Sequence, residues 1–419
     1  MVIMAKKCLI LVCLLLLWGV VGAQESFKKE EHALIQSERA DGRFMSSYAI
    51  AHELVKNLEP EFAFKESMTA EEMPAWQQGL REAMGKIMKF PVVADQPAPK
   101  RISVSQREGY SLEKWEFYPF PHAVSTFLVL KPDKLNGKVP GILCIPGAGR
   151  TKEGLAGEKG ISDRFTENIT SPKVTMALDY VKAGYVAVAV DNAAAGEASD
   201  LEKYHYGANY DYDVVSRMLL EIGWSWLGYT SYLDKLVLDW MKTQPYIRQD
   251  RLVVSGFSLG TEPMMVLGAL DKDIFAFVYN DFLCQTQERA SVMTMPNEKG
   301  RRGFPNSIRH LIPDFWRYFN FPDIVASFAP RPVILTEGGL DRDFNRIKAA
   351  YKLAGAPENV ECHHYPKFAR KEVRLQIEHL PGGVDRDTFF KMANVDPPAH
   401  YFKHELVLPW LEKVLNKCK

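Results

Sequence analysis

From residue 115 onward, short apolar runs rich in β-branched and aromatic side chains alternate with longer stretches of helical periodicity, which limits the chain to few architectures. The runs at residues 115–118, 125–130, 141–145, 185–190, 252–255, 332–336 and 360–365 are punctuated by Gly and Pro, as strands are. Between them, Leu233, Leu236, Val237, Trp240 and Met241 recur at the spacing of one helix face. Strands joined by helices predict an α/β fold with a mostly parallel sheet covered on both faces. Such sheets bind ligands at the carboxyl ends of their strands, so chemistry is sought in the residues just beyond each run.

The amino-terminal part reads differently. Lys6 and Lys7, an apolar run over residues 9–21 and the small-residue site Val21-Gly22-Ala23 form a secretory signal covering residues 1–23. The run is short for a membrane span and lacks a basic stop-transfer flank, so a protein exported to the periplasm or beyond, beginning at Gln24, is expected. Residues 24–106 read as a helical extension. Trp76, Leu80, Met84, Ile87 and Met88 mark one helix face, Thr69-Ala70-Glu71-Glu72 fits a capping box before it, and Gln96-Pro97-Ala98-Pro99 reads as a linker. Residues 107–419 are then expected to form the α/β domain, interrupted by a long charged insertion at about 367–396. That insertion is either a solvated excursion or a flap over the site.

Charge and cysteine usage remove several classes of function. The 52 basic and 52 acidic residues balance, and loss of the leader removes two positive charges, which argues against a nucleic-acid partner. Two of the six cysteines, Cys8 and Cys13, belong to the leader. The remaining Cys144, Cys284, Cys362 and Cys418 are too few and too scattered for a disulfide framework and contain no C-x-x-C pair. With no H-E-x-x-H motif and no glycine-rich phosphate or dinucleotide loop in the right setting, neither a metal nor another cofactor is expected.

The sharpest motif is Gly256-Phe257-Ser258-Leu259-Gly260, placed between an apolar strand and an apolar helix that begins near Glu262 and Pro263. A serine hydroxyl is a weak nucleophile until a base takes its proton, and a tight strand-to-helix turn presents it to one. Ser258 is the expected nucleophile.

These residues, together with Asp239-Trp240, Asp250-Arg251 and Asp281-Phe282-Leu283-Cys284, resemble the dienelactone-hydrolase-like and acetyl xylan esterase groups of the α/β-hydrolase superfamily, over about residues 115–415. Residues 146–153 and Gly260-Thr261-Glu262-Pro263 are similar to secreted esterase-like proteins associated with bacterial polysaccharide-uptake systems. Pro146-Gly147 stands where the family usually has histidine-glycine, and Thr261 replaces a common glycine. The resemblance implies an α/β-hydrolase fold with the triad order serine, acid, histidine, which excludes His32, His52, His122 and His205. It implies Asp341, closing a glycine-x-x-aspartate turn, as the acid, with Glu337 and Asp343 as rivals. His400, after Pro397-Pro398-Ala399 and before an apolar helix, is the implied base, with His379 and His404 as alternatives; His363 and His364 fall within an expected strand. The backbone amides of Leu259 and of Ala148, or else Gly149, are expected to form the oxyanion hole.

Other residues near the strand ends have plainer readings. Arg150 and Lys152 are solvated loop cations or anion binders, Asp191-Asn192 and Gly196-Glu197 form a turn, and Trp224, Trp226, Tyr229, Trp316 and Tyr318 are core residues or sugar-stacking platforms. The resemblance implies a serine esterase acting on acylated carbohydrate through a Ser-His-Asp triad, most specifically deacetylating plant polysaccharide. Glucuronoyl or feruloyl esterase and peptidase activities compete within the same fold. A catalytically silent carbohydrate-binding protein is the alternative of another class.

Overall fold

A computed structural model describes residues 35, 37, 39–158, 173–199, 212–302 and 308–416. The expected signal at 1–23, His32, His205 and Cys418 lie outside them. The chain divides into two compact units, the smaller comprising residues 1–59, 287–305 and 377–389, and the larger comprising the rest.

The larger unit is built on a nine-stranded sheet. Its strands are β1 (Lys100–Arg107), β2 (Tyr110–Phe117), β3 (Ser125–Pro132), β4 (Val139–Ile145), β5 (Val186–Val190), β6 (Ile247–Phe257), β7 (Ile274–Asn280), β8 (Val333–Leu335) and β9 (Val360–Cys362). The order across the sheet is β1-β2-β3-β5-β4-β6-β7-β8-β9. The pairs from β1 to β5 are antiparallel, and every pair from β5 to β9 is parallel. This is the α/β-hydrolase fold.

Alternation along the central strands divides the core in two. Leu143, Ile145, Val186, Val188, Leu252 and Val254 face one cluster, while Ile142, Cys144, Ala187, Ala189 and Val253 face the other. Successive strand residues point to opposite faces, so continuous apolar runs signal strands buried on both sides. The first face is covered by the helices Met73–Met88, Trp226–Thr243, Thr261–Leu270 and Asp341–Leu353, the second by Met176–Lys182 and His404–Asn416.

The helical extension expected over 24–106 ends too late, because residues 100–107 are strand β1. Its side chains are exposed on nearly every position, and it pairs with β2 alone. An edge strand with no buried face carries little periodic signal, which is why sequence pattern misplaces it. Thr69 and Glu72 do form reciprocal bonds, Thr69 N donating to Glu72 Oε2 at 2.8 Å and Glu72 N to Thr69 Oγ1 at 3.4 Å, in the turn before the helix Met73–Met88. β9 stops at Cys362, so His363 and His364 lie just beyond the strand.

In the smaller unit, the helix Ser47–Lys56 starts at Ser46, whose side chain accepts from Ala49 N, and the Tyr48 and Thr294 hydroxyls are hydrogen-bonded. Thr294 Oγ1 also accepts from Gly383 N at 3.2 Å. Cys144 and Cys284 are buried and Cys362 is half-buried.

Candidate active site

β6 runs directly into a tight turn, Ser258–Gly260, and then into the helix Thr261–Leu270. Ser258 has φ 51°, left-handed backbone that a non-glycine residue adopts at a cost of roughly 1–3 kcal/mol and that places the side chain at the apex of a nucleophile elbow. The flanking glycines make the turn possible. A Cβ on Gly256 would meet Gly260 O at 2.4 Å, and one on Gly260 would meet Ile145 O at 2.2 Å. Thr261, in place of the common glycine, donates its hydroxyl to Ser258 O at 2.8 Å and braces the apex.

The loop after β4 lies against this apex. A Cβ on Gly147 would approach Ser258 Cβ to 3.0 Å, so only glycine lets the loop come this near. Arg150 N closes a turn onto Gly147 O at 3.1 Å, with Gly149 at φ 72°, and Asn192 Nδ2 holds Pro146 O at 2.7 Å. Ala148 is exposed at the tip of this loop, and Leu259 is buried beneath the apex.

His400 follows the short turn Pro397–Ala399, and its ring stacks on Phe257, the residue before Ser258, with centroids 4.9 Å apart and planes 19° from parallel. Nδ1 of His400 meets Glu337 Oε2 at 2.5 Å. Glu337 stands two residues beyond the end of β8 and is fully buried. A buried carboxylate is costly unless every lone pair is satisfied, and here five donors converge. Tyr365 Oη reaches Oε2 at 3.0 Å, while Asn280 Nδ2 at 3.1 Å, Tyr401 N at 3.1 Å and Lys403 Nζ at 2.6 Å share Oε1. Burial alone would raise the Glu337 pKa, but the bond and charge of His400, reinforced by Lys403, hold it below the usual carboxylate value. Burial likewise opposes a charged His400, yet Glu337 outweighs it and raises the imidazole above its ordinary pKa.

Asp341, expected as the acid, meets His364 and not His400 in this geometry. It opens the helix Asp341–Leu353 and bonds His364 Nε2 at 3.0 Å, Arg374 Nε at 3.0 Å and Gln376 Nε2 at 2.7 Å. Its carboxylate therefore ties the start of the 367–396 insertion to the sheet end, and Arg374 also caps Phe368 O and Ala369 O. Asp343 is buried and accepts from Gln285. Of the alternative bases, His379 is exposed and His404 faces Glu405 at 3.6 Å. His364, beside Asp341, is pushed down to about 4 by burial and by Arg374. The carboxylate at hydrogen-bond distance from His400 is Glu337, while Glu262, in the first turn after the elbow, meets His310 at 2.9 Å.

Asp281 contributes a second carboxylate, 3.9 Å from His400 Nδ1. Ligand atoms of Asp281, Glu337 and His400 lie within 4.8 Å of one another, the one such group among the described residues. His400 Nδ1 and both Glu337 oxygens are already engaged by each other and by Lys403.

Lys152 is neither a solvated cation nor an anion binder. It is fully buried, with Nζ 2.6 Å from Asp191, 2.8 Å from Glu197 and 3.0 Å from Glu153. Its backbone N also donates to Asp191 Oδ1 at 2.8 Å, so the pair described above as a turn locks the β4 and β5 loops together. Burial opposes the ammonium, but the three carboxylates outweigh it and raise its pKa; Glu197 is drawn down to about 2 despite its own burial, chiefly by Lys152. Replacing Lys152 by Met strands these carboxylates, and chemical denaturation is expected to show a loss of about 3–5 kcal/mol. A loss below about 1 kcal/mol contradicts this reading.

The aromatic residues expected as core or platform fall on the core side. Trp226 is fully buried with Nε1 bonded to Ala193 O, and Trp224, Tyr229, Trp316 and Tyr318 pack against the main apolar cluster.

A left-handed serine elbow with a histidine and a buried carboxylate on later loops of a parallel sheet defines the α/β-hydrolase class. The sequence pattern of the Abhydrolase family matches residues 26–413, and the chain belongs to that family. Among solved structures it is similar to a "putative acetyl xylan esterase" from Bacteroides fragilis, at 64% identity and TM-score 0.87 over 91% of this chain and 98% of that one. A glucuronoyl esterase from Solibacter usitatus shares the fold at 12% identity and TM-score 0.50, over 80% of this chain and 98% of that one. No curated protein matches.

Proposed function

We propose that this protein is a secreted serine carboxylesterase of acylated carbohydrate, with Ser258, His400 and Glu337 as its catalytic triad. The observation that carries the proposal is the pairing of His400 with buried Glu337 while its ring stacks on Phe257, one residue from the strained Ser258. Ser258 Oγ attacks the acyl carbon as His400 takes its proton. His400, held in one tautomer by Glu337, returns that proton to the departing sugar hydroxyl, and water then clears the acyl-enzyme by the same route. Leu259 N and an amide of the Ala148-Gly149 loop stabilise the oxyanion. An export signal over residues 1–23 suits an extracytoplasmic polysaccharide substrate.

Removal of acetyl groups is the favoured chemistry, supported by the name carried by the 64% identical protein. Incubation with acetylated xylan, methyl-glucuronoylated xylan and feruloylated arabinoxylan is expected to release acetate at least about tenfold faster than the other acids, a discrimination of about 1.4 kcal/mol. Release of methyl glucuronate or ferulate as the main product would reassign the acyl specificity. Turnover of none of these, nor of p-nitrophenyl acetate, would contradict the esterase reading.

A further inference from the structure

The environment of the acid contains a group that the triad mechanism leaves without a task. Lys403 is 2% exposed, and its Nζ contacts Glu337 Oε1 at 2.6 Å on the opposite oxygen from the one held by His400. Its backbone N donates to Asn280 Oδ1 at 2.8 Å, and Nζ also donates to Ala399 O at 2.5 Å and Tyr401 O at 2.8 Å, carbonyls on either side of His400. A lysine buried this deeply requires a partner of opposite charge, and its partner is the carboxylate that orients the base.

Resting on the triad reading above, we infer that Lys403 is a positioning residue that lowers the basicity of the His400–Glu337 pair, so that His400 is neutral and able to accept the Ser258 proton at lower pH. Among the described residues few charged groups face His400, and Glu405, bonded to Tyr401, lies near Lys403. From the β8 loop comes Glu337, from the β7 loop Asp281, and from the segment leading into the helix His404–Asn416 Lys403; Tyr365, after β9, adds a neutral donor. Phe257, on the elbow side, is apolar. Two negative charges favour imidazolium, and Lys403 is the cation in contact with the stronger of them. Sharing Glu337 between two cationic partners weakens its hold on the proton at His400. The second effect of Lys403 is geometric, since its bonds to Ala399 and Tyr401 fix the turn that carries the ring.

These two effects separate by pH. The rate of Ser258 modification by a fluorophosphonate probe is measured from pH 5 to 9 for the wild type, Lys403→Met and Lys403→Gln, each confirmed as folded by thermal denaturation. The acidic limb is expected to move upward by about one pH unit in both variants, so that modification at pH 6 falls about tenfold further than at pH 9. A limb that stays where the wild type has it, with rates reduced by one common factor at every pH, overturns the inference and leaves Lys403 as loop structure alone. Failure of both variants to fold counts against it equally. His400→Ala separates this from the parent reading: if that variant is modified as fast as the wild type, the triad itself falls. If it is inert while the Lys403 limbs stay unmoved, only the role of Lys403 falls.

Discussion

Alanine in place of Ser258 is expected to lower kcat for p-nitrophenyl acetate by roughly 10⁴- to 10⁶-fold, the range set by loss of an activated nucleophile. The effect should appear in kcat with little change in KM, because the hydroxyl acts in the chemical step rather than in binding the acyl group. Thermal stability should change little. Alanine at φ 51° meets the same backbone cost as serine, and the brace from Thr261 is to the main-chain carbonyl of residue 258, which the substitution keeps. Wild-type rates in Ser258→Ala would place the chemistry elsewhere.

Glutamine in place of Glu337 is expected to cost about 10³- to 10⁴-fold in kcat, since an amide presents its oxygen or its NH₂ to Nδ1 and no longer stabilises the imidazolium that forms during acyl transfer. It also leaves Lys403 buried without its counter-charge, so a stability loss of about 3–5 kcal/mol should accompany the kinetic one. Asparagine in place of Asp341 is the companion variant. It weakens the bonds to His364, Arg374 and Gln376 that anchor the 367–376 segment, yet should leave kcat within about fivefold of wild type, because none of those groups meets His400. Steady-state kinetics on the two variants side by side decide which carboxylate is the acid, and the reverse ranking would restore Asp341.

That choice shows where sequence reasoning stopped. The order of strands and helices, the serine elbow and the placement of a histidine between a proline turn and the last apolar helix are local patterns, each fixed by residues adjacent in the chain. The acid is different. Glu337, Asp341 and Asp343 lie within seven residues after one strand, and what separates them is long-range. Asn280, at the end of β7, and Tyr365, Tyr401 and Lys403, from two loops, converge on Glu337 alone. No spacing rule along residues 332–343 encodes that convergence, and the glycine-x-x-aspartate pattern leads to a carboxylate that bonds Arg374 and Gln376 of the insertion. Lys152 was illegible for the same reason. Beside Gly149, Arg150 and Thr151 it looks like part of a solvated loop, and only the return of β5 beside β4 brings Asp191 and Glu197 around it. β1 was missed because its exposed side chains leave no apolar stripe, and β7 is also absent from the expected strands. The polar residues at the carboxyl ends of β7 and β8, Asn280 closing the one and Glu337 two residues beyond the other, were the available signal, since a polar side chain at the carboxyl end of a fully buried strand is positioned to line the site.

The central claim is that one alcohol, Ser258 Oγ, is activated by the His400–Glu337 pair. Mass spectrometry of peptides after fluorophosphonate treatment tests it most directly. The account predicts a single adduct on Ser258 in the wild type, formed about 10³-fold more slowly in His400→Ala and Glu337→Gln. An unmodified Ser258, or an adduct formed at the wild-type rate when either partner is removed, would contradict it.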